Sequence, residues 1–128
     1  MILDSSAIVA IMLREPGFEG LIDKLDAASF VGIGVSTLIE TSIVLSATMK
    51  RDMRGLLARL MDESSIATIG MTEVHYGIAL DAWLAFGKGR HRAALNFGDC
   101  LAYATARAAG QPLLCVGDDF ARTDLELA

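Results

Sequence analysis

Four carboxylates stand where a folding chain ordinarily avoids charge: Asp4 closing MILD, Glu40 inside STLIETSIVLSA, Asp99 in GDCLAYATA and Asp119 after LLCVGD. Each lies at the end of an apolar strand-like run or on an apolar helix, so a fold that aligns these runs collects four like charges. Such a collection needs a cation. Carboxylate oxygens and water complete the shell of a hard divalent ion such as Mg²⁺ or Mn²⁺, whereas zinc calls for His or Cys at close spacing. His75 and His91 are isolated and read as surface or helix-end residues.

Each acid also has an ordinary reading. Asp4 suits the N-cap of a helix, Asp99 suits a first helical turn, where the dipole favours a carboxylate, and Asp118 and Asp119 suit a turn. Glu40 resists such a reading. Its helix surrounds it with Leu38, Ile39, Ile43, Val44 and Leu45 and offers no basic residue before Lys50, so an i,i+4 ion pair is out of reach. A carboxylate buried without a partner costs several kcal/mol or takes up a proton.

The elements that must position these acids alternate. MIL is a short buried strand ended by Asp4, and two serines lead into the helix SAIVAIML. Pro16 opens a second helix, FEGLIDKLDAA; FVGIGV is a second strand; Ser36 and Thr37 cap a third helix that runs to Met49; and MRGLLARLMDE is a fourth helix. SIATIGM is a third strand, Thr72 starts the long helix EVHYGIALDAWLAFG, Gly98 precedes the helix DCLAYATARAA, and PLLCV is a fourth strand. A turn, DDFART, then leads to a strand-like DLEL. Strands separated by helices imply a parallel sheet covered on both faces. Ligands of such sheets bind beyond the strands' carboxyl ends, where the strand order reverses. One edge of the sheet can therefore hold all four acids.

A chain of 128 residues is one domain, long enough to bury a core without staples. Its apolar runs are broken well short of a membrane span, and MILDSS has none of the features of a signal peptide, so a soluble cytoplasmic protein with no membrane association is expected. Cys100 and Cys115 fall in an apolar helix and an apolar strand and read as reduced core thiols. The net charge of −5 repels phosphate overall, so contact with nucleic acid would fall to local cations or a bound metal. The cationic groups are Lys50, Arg51, Arg54 and Arg59, and Lys88, Arg90, His91 and Arg92; either alone reads first as a solvated face.

The strings MILDSSAIVA, STLIE, LNFGDCLAYATA and LLCVGDDFARTD resemble the PIN-domain ribonucleases, specifically the VapC toxins of bacterial VapBC toxin–antitoxin pairs. The resemblance covers essentially the whole chain. It implies a single PIN domain over residues 1–128, a three-layer α/β/α fold with a central, mainly parallel sheet of four to five strands. It implies an endoribonuclease that hydrolyses RNA phosphodiesters, with Asp4, Glu40, Asp99 and Asp119 as the catalytic and Mg²⁺-binding acids and Mn²⁺ as a substitute. Ser6, Asn96 and Asp118 would orient carboxylates or the metal's waters. Asp118 departs from the polar residue common just before the last acid; Asp119 is preferred because it directly precedes Phe120. Arg90 and Arg92 are candidates for holding flanking RNA phosphates. The resemblance also implies a homodimer and a VapB-type antitoxin lying across the active-site groove. Two apolar stripes, Phe18, Leu21, Ile22 and Leu25, and Leu56, Leu57, Leu60 and Met61, are candidate antitoxin surfaces, against the plainer reading of core packing.

Rival readings fare worse. VGIGVST lacks the third glycine of a dinucleotide fingerprint and follows the second strand, Ser6 stands where an aspartyl phosphatase would place a second Asp, and no lysine follows Lys88, as a phospho-acceptor domain would want. The remaining alternatives are a non-catalytic PIN-like module that binds metal and a protein partner, and a nuclease acting on DNA.

Overall fold

Ile2 and Leu3, adjacent in sequence, point into two different apolar clusters on opposite sides of the sheet. That is the period-2 alternation of a strand buried on both faces. The computed structural model describes residues 1–128 in the order β1 (Ile2–Leu3), α1 (Ser5–Leu13), α2 (Phe18–Ala27), β2 (Gly32–Gly34), α3 (Val35–Met49), α4 (Arg54–Glu63), β3 (Ala67–Ile69), α5 (Glu73–Phe86), α6 (Phe97–Ala109) and β4 (Leu113–Leu114), with a single 3₁₀ turn at Phe120–Arg122. Leu113 and Leu114 of β4 repeat the division made by Ile2 and Leu3.

The sheet order is β3-β2-β1-β4 and every pairing is parallel, with Ile2 opposite both Gly32 and Leu113. The chain builds outward from β1 through β2 to β3, then returns to place β4 on the other side of β1. The order therefore reverses between β1 and β4, and the crevice beyond their carboxyl ends is where this architecture binds ligands.

One helical layer buries Ala7, Ile8 and Ile11 of α1, Leu25 of α2 and Leu57 of α4. The other buries Ala82 of α5 and Cys100, Ala102, Tyr103 and Ala106 of α6. α3 packs against both α1 and α6, so it joins the layers at the edge where the acids emerge. Its neighbour strand ends in Gly34, and a Cβ there would lie 2.7 Å from Thr105 Oγ1 of α6. The missing side chain lets α6, the carrier of Asp99, approach the sheet closely.

Several local expectations shift. DLEL forms no strand: it is reduced to one parallel bridge, with Leu113 N–H donating to Glu126 O and Ala128 N–H to Leu113 O, both at 2.9 Å, beside a four-stranded sheet. Ser36 and Thr37 do not cap α3. Gly34 is its N-cap, because β2 runs directly into the helix, and both hydroxyls lie buried without a hydrogen-bond partner. α2 is opened by Gly17, whose φ of +90° turns the chain after Pro16, and starts at Phe18. α6 starts two residues before Asp99. The apolar stripes of α2 and α4 are chiefly core: Leu25 and Leu57 are buried, and Leu21, Ile22, Leu60 and Met61 pack against them, with Leu56 left exposed. Core packing thus accounts for most of both stripes, with Phe18 half-buried and outside the cluster.

Candidate active site

Asp4 leaves β1 at its carboxyl end and caps α1: its backbone N–H donates to Leu114 O at 2.9 Å, and its Oδ2 accepts from Ser6 N at 3.0 Å and from the Ser6 hydroxyl. The Ser6 Oγ in turn accepts from Val116 N–H at 2.9 Å. Ser6 thus ties the acid at the end of β1 to the chain leaving β4, across the switch point. Asp4 is only 5% exposed, and all the protein's hydrogen bonds to its carboxylate fall on Oδ2. Oδ1 is left for another partner.

Asp99 sits at the third position of α6. Its Oδ2 accepts from Asn96 N–H at 2.8 Å while its own N–H donates to Asn96 Oδ1 at 2.9 Å, a reciprocal capping box. Glu40, one turn into α3, is half-buried, and its Oε1 accepts a weak 3.4 Å bond from the Ser5 hydroxyl. Its Oε2 lies over α6, so near Gly98 that a Cβ there would overlap it.

The three acids feel one another. Burial pushes the Glu40 carboxyl above its ordinary value, and the charges of Asp4 and Asp99 push it further, against a small opposing effect of the Ser5 hydrogen bond. Burial likewise raises Asp99, with Asp4 and Asp119 adding to it and the Asn96 N–H opposing. Burial, then Asp4, Asp119 and Asp99 together, drive the Cys115 thiol up to about 11 against a counteracting Lys24. An inert thiol lies beneath the acids, not a nucleophile.

Asp119 stands exposed ahead of the 3₁₀ turn and joins the group through its charge on Asp99. Asp118 is exposed beside it, and it is Asp119 whose charge reaches Asp99 and Cys115. The four acids share a field without closing into a cage: no three His, Cys, Asp or Glu side chains stand near enough together to enclose an ion. The chemistry of the donors nevertheless fits a hard divalent cation. Asp4, Glu40 and Asp99 each present one oxygen outside the protein's own hydrogen bonds, and neither histidine is among them. His75 is buried in the capping box of Thr72, and His91 packs edge-on against Phe86.

Around the acids the surface is apolar. Met71, Tyr76, Leu80, Trp83, Phe97 and Leu101 line a groove of about 600 Å³ between α5 and α6. Phe97 is 80% exposed two residues before Asp99, and Ile39 and Ile43 flank Glu40 in the open. Arg90 lies over the Trp83 ring at 4.9 Å and donates to Leu84 O, while the Arg92 side chain is exposed. Cys100 and Cys115 are both free thiols. Among the residues touching the acids, the sequence pattern pointed to neither Ser5 nor Gly98. Ser5 reads as a helix-start serine and Gly98 as a turn, and no local spacing relates either to Glu40.

Comparison with known proteins agrees with this architecture. The PIN domain family matches residues 1–126. The chain is 43% identical to Ribonuclease VapC36 of Mycobacterium tuberculosis, over 98% of this chain and 91% of that protein. It is 40% identical to a VapC ribonuclease of Rhizobium meliloti, over 96% of this chain and 97% of the relative. Among solved structures, Mycobacterium tuberculosis VapC20, described as a sarcin-ricin loop cleaving toxin, superposes with a TM-score of 0.74 at 17% identity, covering 99% of this chain and 97% of that one. A toxin–antitoxin complex from Klebsiella pneumoniae superposes with a TM-score of 0.72 at 16% identity, covering 99% and 95%. A three-layer α/β/α fold, carboxylates at the switch point of its parallel sheet, and full-length relatives of one kind lead to one assignment: the chain belongs to the PIN-domain family, as a VapC-type member.

Proposed function

We propose that this chain is the toxin of a type II toxin–antitoxin pair, a Mg²⁺- or Mn²⁺-dependent endoribonuclease whose metal is held by Asp4, Glu40, Asp99 and Asp119. The observation that carries the reading is the mutual field of Asp4, Glu40 and Asp99 at the carboxyl edge of the sheet, where burial and like charge raise two of the three. Carboxylates held in that state are an unfavourable arrangement for folding and a favourable one for a divalent cation. The ribonuclease names of relatives at 40% identity or more add the reaction class.

When bound, the metal supplies an acidified water and a positive charge for the phosphate. The chain's own residues do the rest. Ser6 holds Asp4 in one rotamer and Asn96 holds Asp99. Arg90 and Arg92 offer positive charge for flanking phosphates of the RNA. A VapB-type antitoxin is the partner that would neutralise the site, and the similarity to a toxin–antitoxin complex supports that. A homodimer fits the aromatic groove of α5 and α6, which has the composition of a subunit interface core. A cytoplasmic location completes the proposal.

The test is cleavage of total RNA by the antitoxin-free protein with Mg²⁺ or Mn²⁺, against EDTA and Asp99→Asn controls. Discrete fragments lost in both controls establish the reading. Metal-dependent cutting of single-stranded DNA with RNA intact would make it a DNA nuclease, and metal binding without any cleavage would leave a non-catalytic module.

A further inference from the structure

Gly98 occupies the second position of α6, between the cap Asn96 and the site acid Asp99. Its backbone gives no reason for a glycine, since it is absent from the residues with positive φ, and a glycine inside a helix is otherwise a handicap. The reason lies across the interface with α3. A Cβ built on Gly98 would overlap Glu40 Oε2 and stand 3.0 Å from the Glu40 Cδ and Oε1, with no other group nearer. All three atoms belong to one carboxylate.

We propose that Gly98 is a positioning residue for Glu40: its missing side chain is the seat in which the carboxylate rests against α6, next to Asp99. The Ser5 hydroxyl donates to the same carboxylate at Oε1 over a long 3.4 Å. Glu40 has neither a basic partner nor a strong hydrogen bond to fix its rotamer, so shape fixes it. The clash of an added methyl would fall on the far end of a flexible side chain, so the fold yields cheaply and the carboxylate moves. Structure and function should therefore separate at this position. This inference rests on the metal-site reading above and adds what sets the position of one of its acids.

The experiment measures Mn²⁺ affinity by calorimetry and melting temperature in EDTA for the full chain and for Gly98→Ala, Glu40→Asp, Glu40→Gln and the Gly98→Ala/Glu40→Asp double variant. Gly98→Ala is expected to melt no lower than wild type, because alanine favours the helix, and to bind Mn²⁺ about tenfold more weakly, the size of effect seen when the partner that orients a ligand is removed. In the Glu40→Asp background, whose shorter side chain withdraws from the seat, the same change should cost little further affinity. Wild-type affinity in Gly98→Ala, with Glu40→Gln impaired, overturns the inference and leaves the metal site standing. Unaltered affinity in Glu40→Gln overturns the metal-site reading instead. A collapse of melting temperature in Gly98→Ala that Glu40→Asp relieves supports the proposed seat, and one that persists in the double variant overturns it by placing the clash elsewhere.

Discussion

Asn96 and Asp99 hold each other through two hydrogen bonds, Asn96 N–H to Asp99 Oδ2 at 2.8 Å and Asp99 N–H to Asn96 Oδ1 at 2.9 Å. One carboxylate oxygen thus closes a helix start, and the other is left outside the protein's own hydrogen bonds. The same arrangement recurs at Asp4, whose Oδ2 is occupied by Ser6. In both cases a helix cap doubles as the support of a site acid.

Asp99→Asn should keep the fold, since an amide oxygen can accept from Asn96 N–H as the carboxylate does. Its RNA cleavage should fall by more than about 100-fold, beyond the loss typical of an outer partner. Asn96→Ala should do the opposite in proportion: about 1 kcal/mol of stability lost with the cap, a melting point lower by a few degrees, and a partial loss of activity. Circular dichroism and a fluorogenic RNA assay read the two effects separately.

Glu40 and Asp99 have folded-state pKa values above their ordinary ones, so the native state binds more protons than the unfolded chain between those values. Their contribution to stability is fully present below the unfolded pKa values of 4.5 and 3.8 and is lost as pH rises through the raised ones. Glu40→Gln should therefore melt higher than wild type at pH 7 in EDTA. The difference should close as pH falls below 4.5, the ordinary value for Glu40. Thermal melts at intervals from pH 4 to pH 8 check it, and a difference independent of pH would contradict it.

Asp4→Asn tests the metal without disturbing the helix, because Asn caps as well as Asp. Wild-type protein should gain about 2.7 kcal/mol when Mn²⁺ reaches a hundred times its dissociation constant, by mass action. The variant should melt no lower than wild type in EDTA, since it removes a charge that acts on both Glu40 and Asp99, and should gain little from Mn²⁺.

Arg90→Ala with Arg92→Ala should weaken binding of RNA to a cleavage-dead Asp99→Asn background and flatten its dependence on salt, by about one unit of logarithmic slope for each phosphate no longer held. Fluorescence anisotropy between low and physiological salt gives the slope. An unchanged slope would make both arginines solvated surface, with Arg90 serving only to cover Trp83.

Leu80→Glu places a charge in the groove between α5 and α6, where Leu80 is 44% exposed in the isolated chain. If that groove is the subunit interface, the variant should elute as a monomer in light-scattering chromatography where the wild type elutes as a dimer, with its melting curve little altered. A dimeric variant would move the interface elsewhere.

The sequence by itself determined the alternation of strand and helix, and with it a parallel sheet whose carboxyl edge receives Asp4 and Asp119, because these are properties of local period and chain connectivity. It also singled out Glu40, through a charge that its own helix cannot pair. Tertiary structure alone decided the rest. Periodicity marks an apolar face but not what covers it, so the stripes of α2 and α4 pack chiefly on the core while the face of α5 and α6 stayed open. Ser36 and Thr37 read as caps, yet β2 passes into α3 without a turn and carries both inside the helix. Of the two neighbouring acids Asp118 and Asp119, both exposed, it is Asp119 whose charge acts on Asp99, a relation set by how the chain leaving β4 is placed beside α6. The meeting of Glu40 with Gly98 joins residues 58 positions apart, and only the packing of α3 against α6 brings a carboxylate to the place where a side chain is missing.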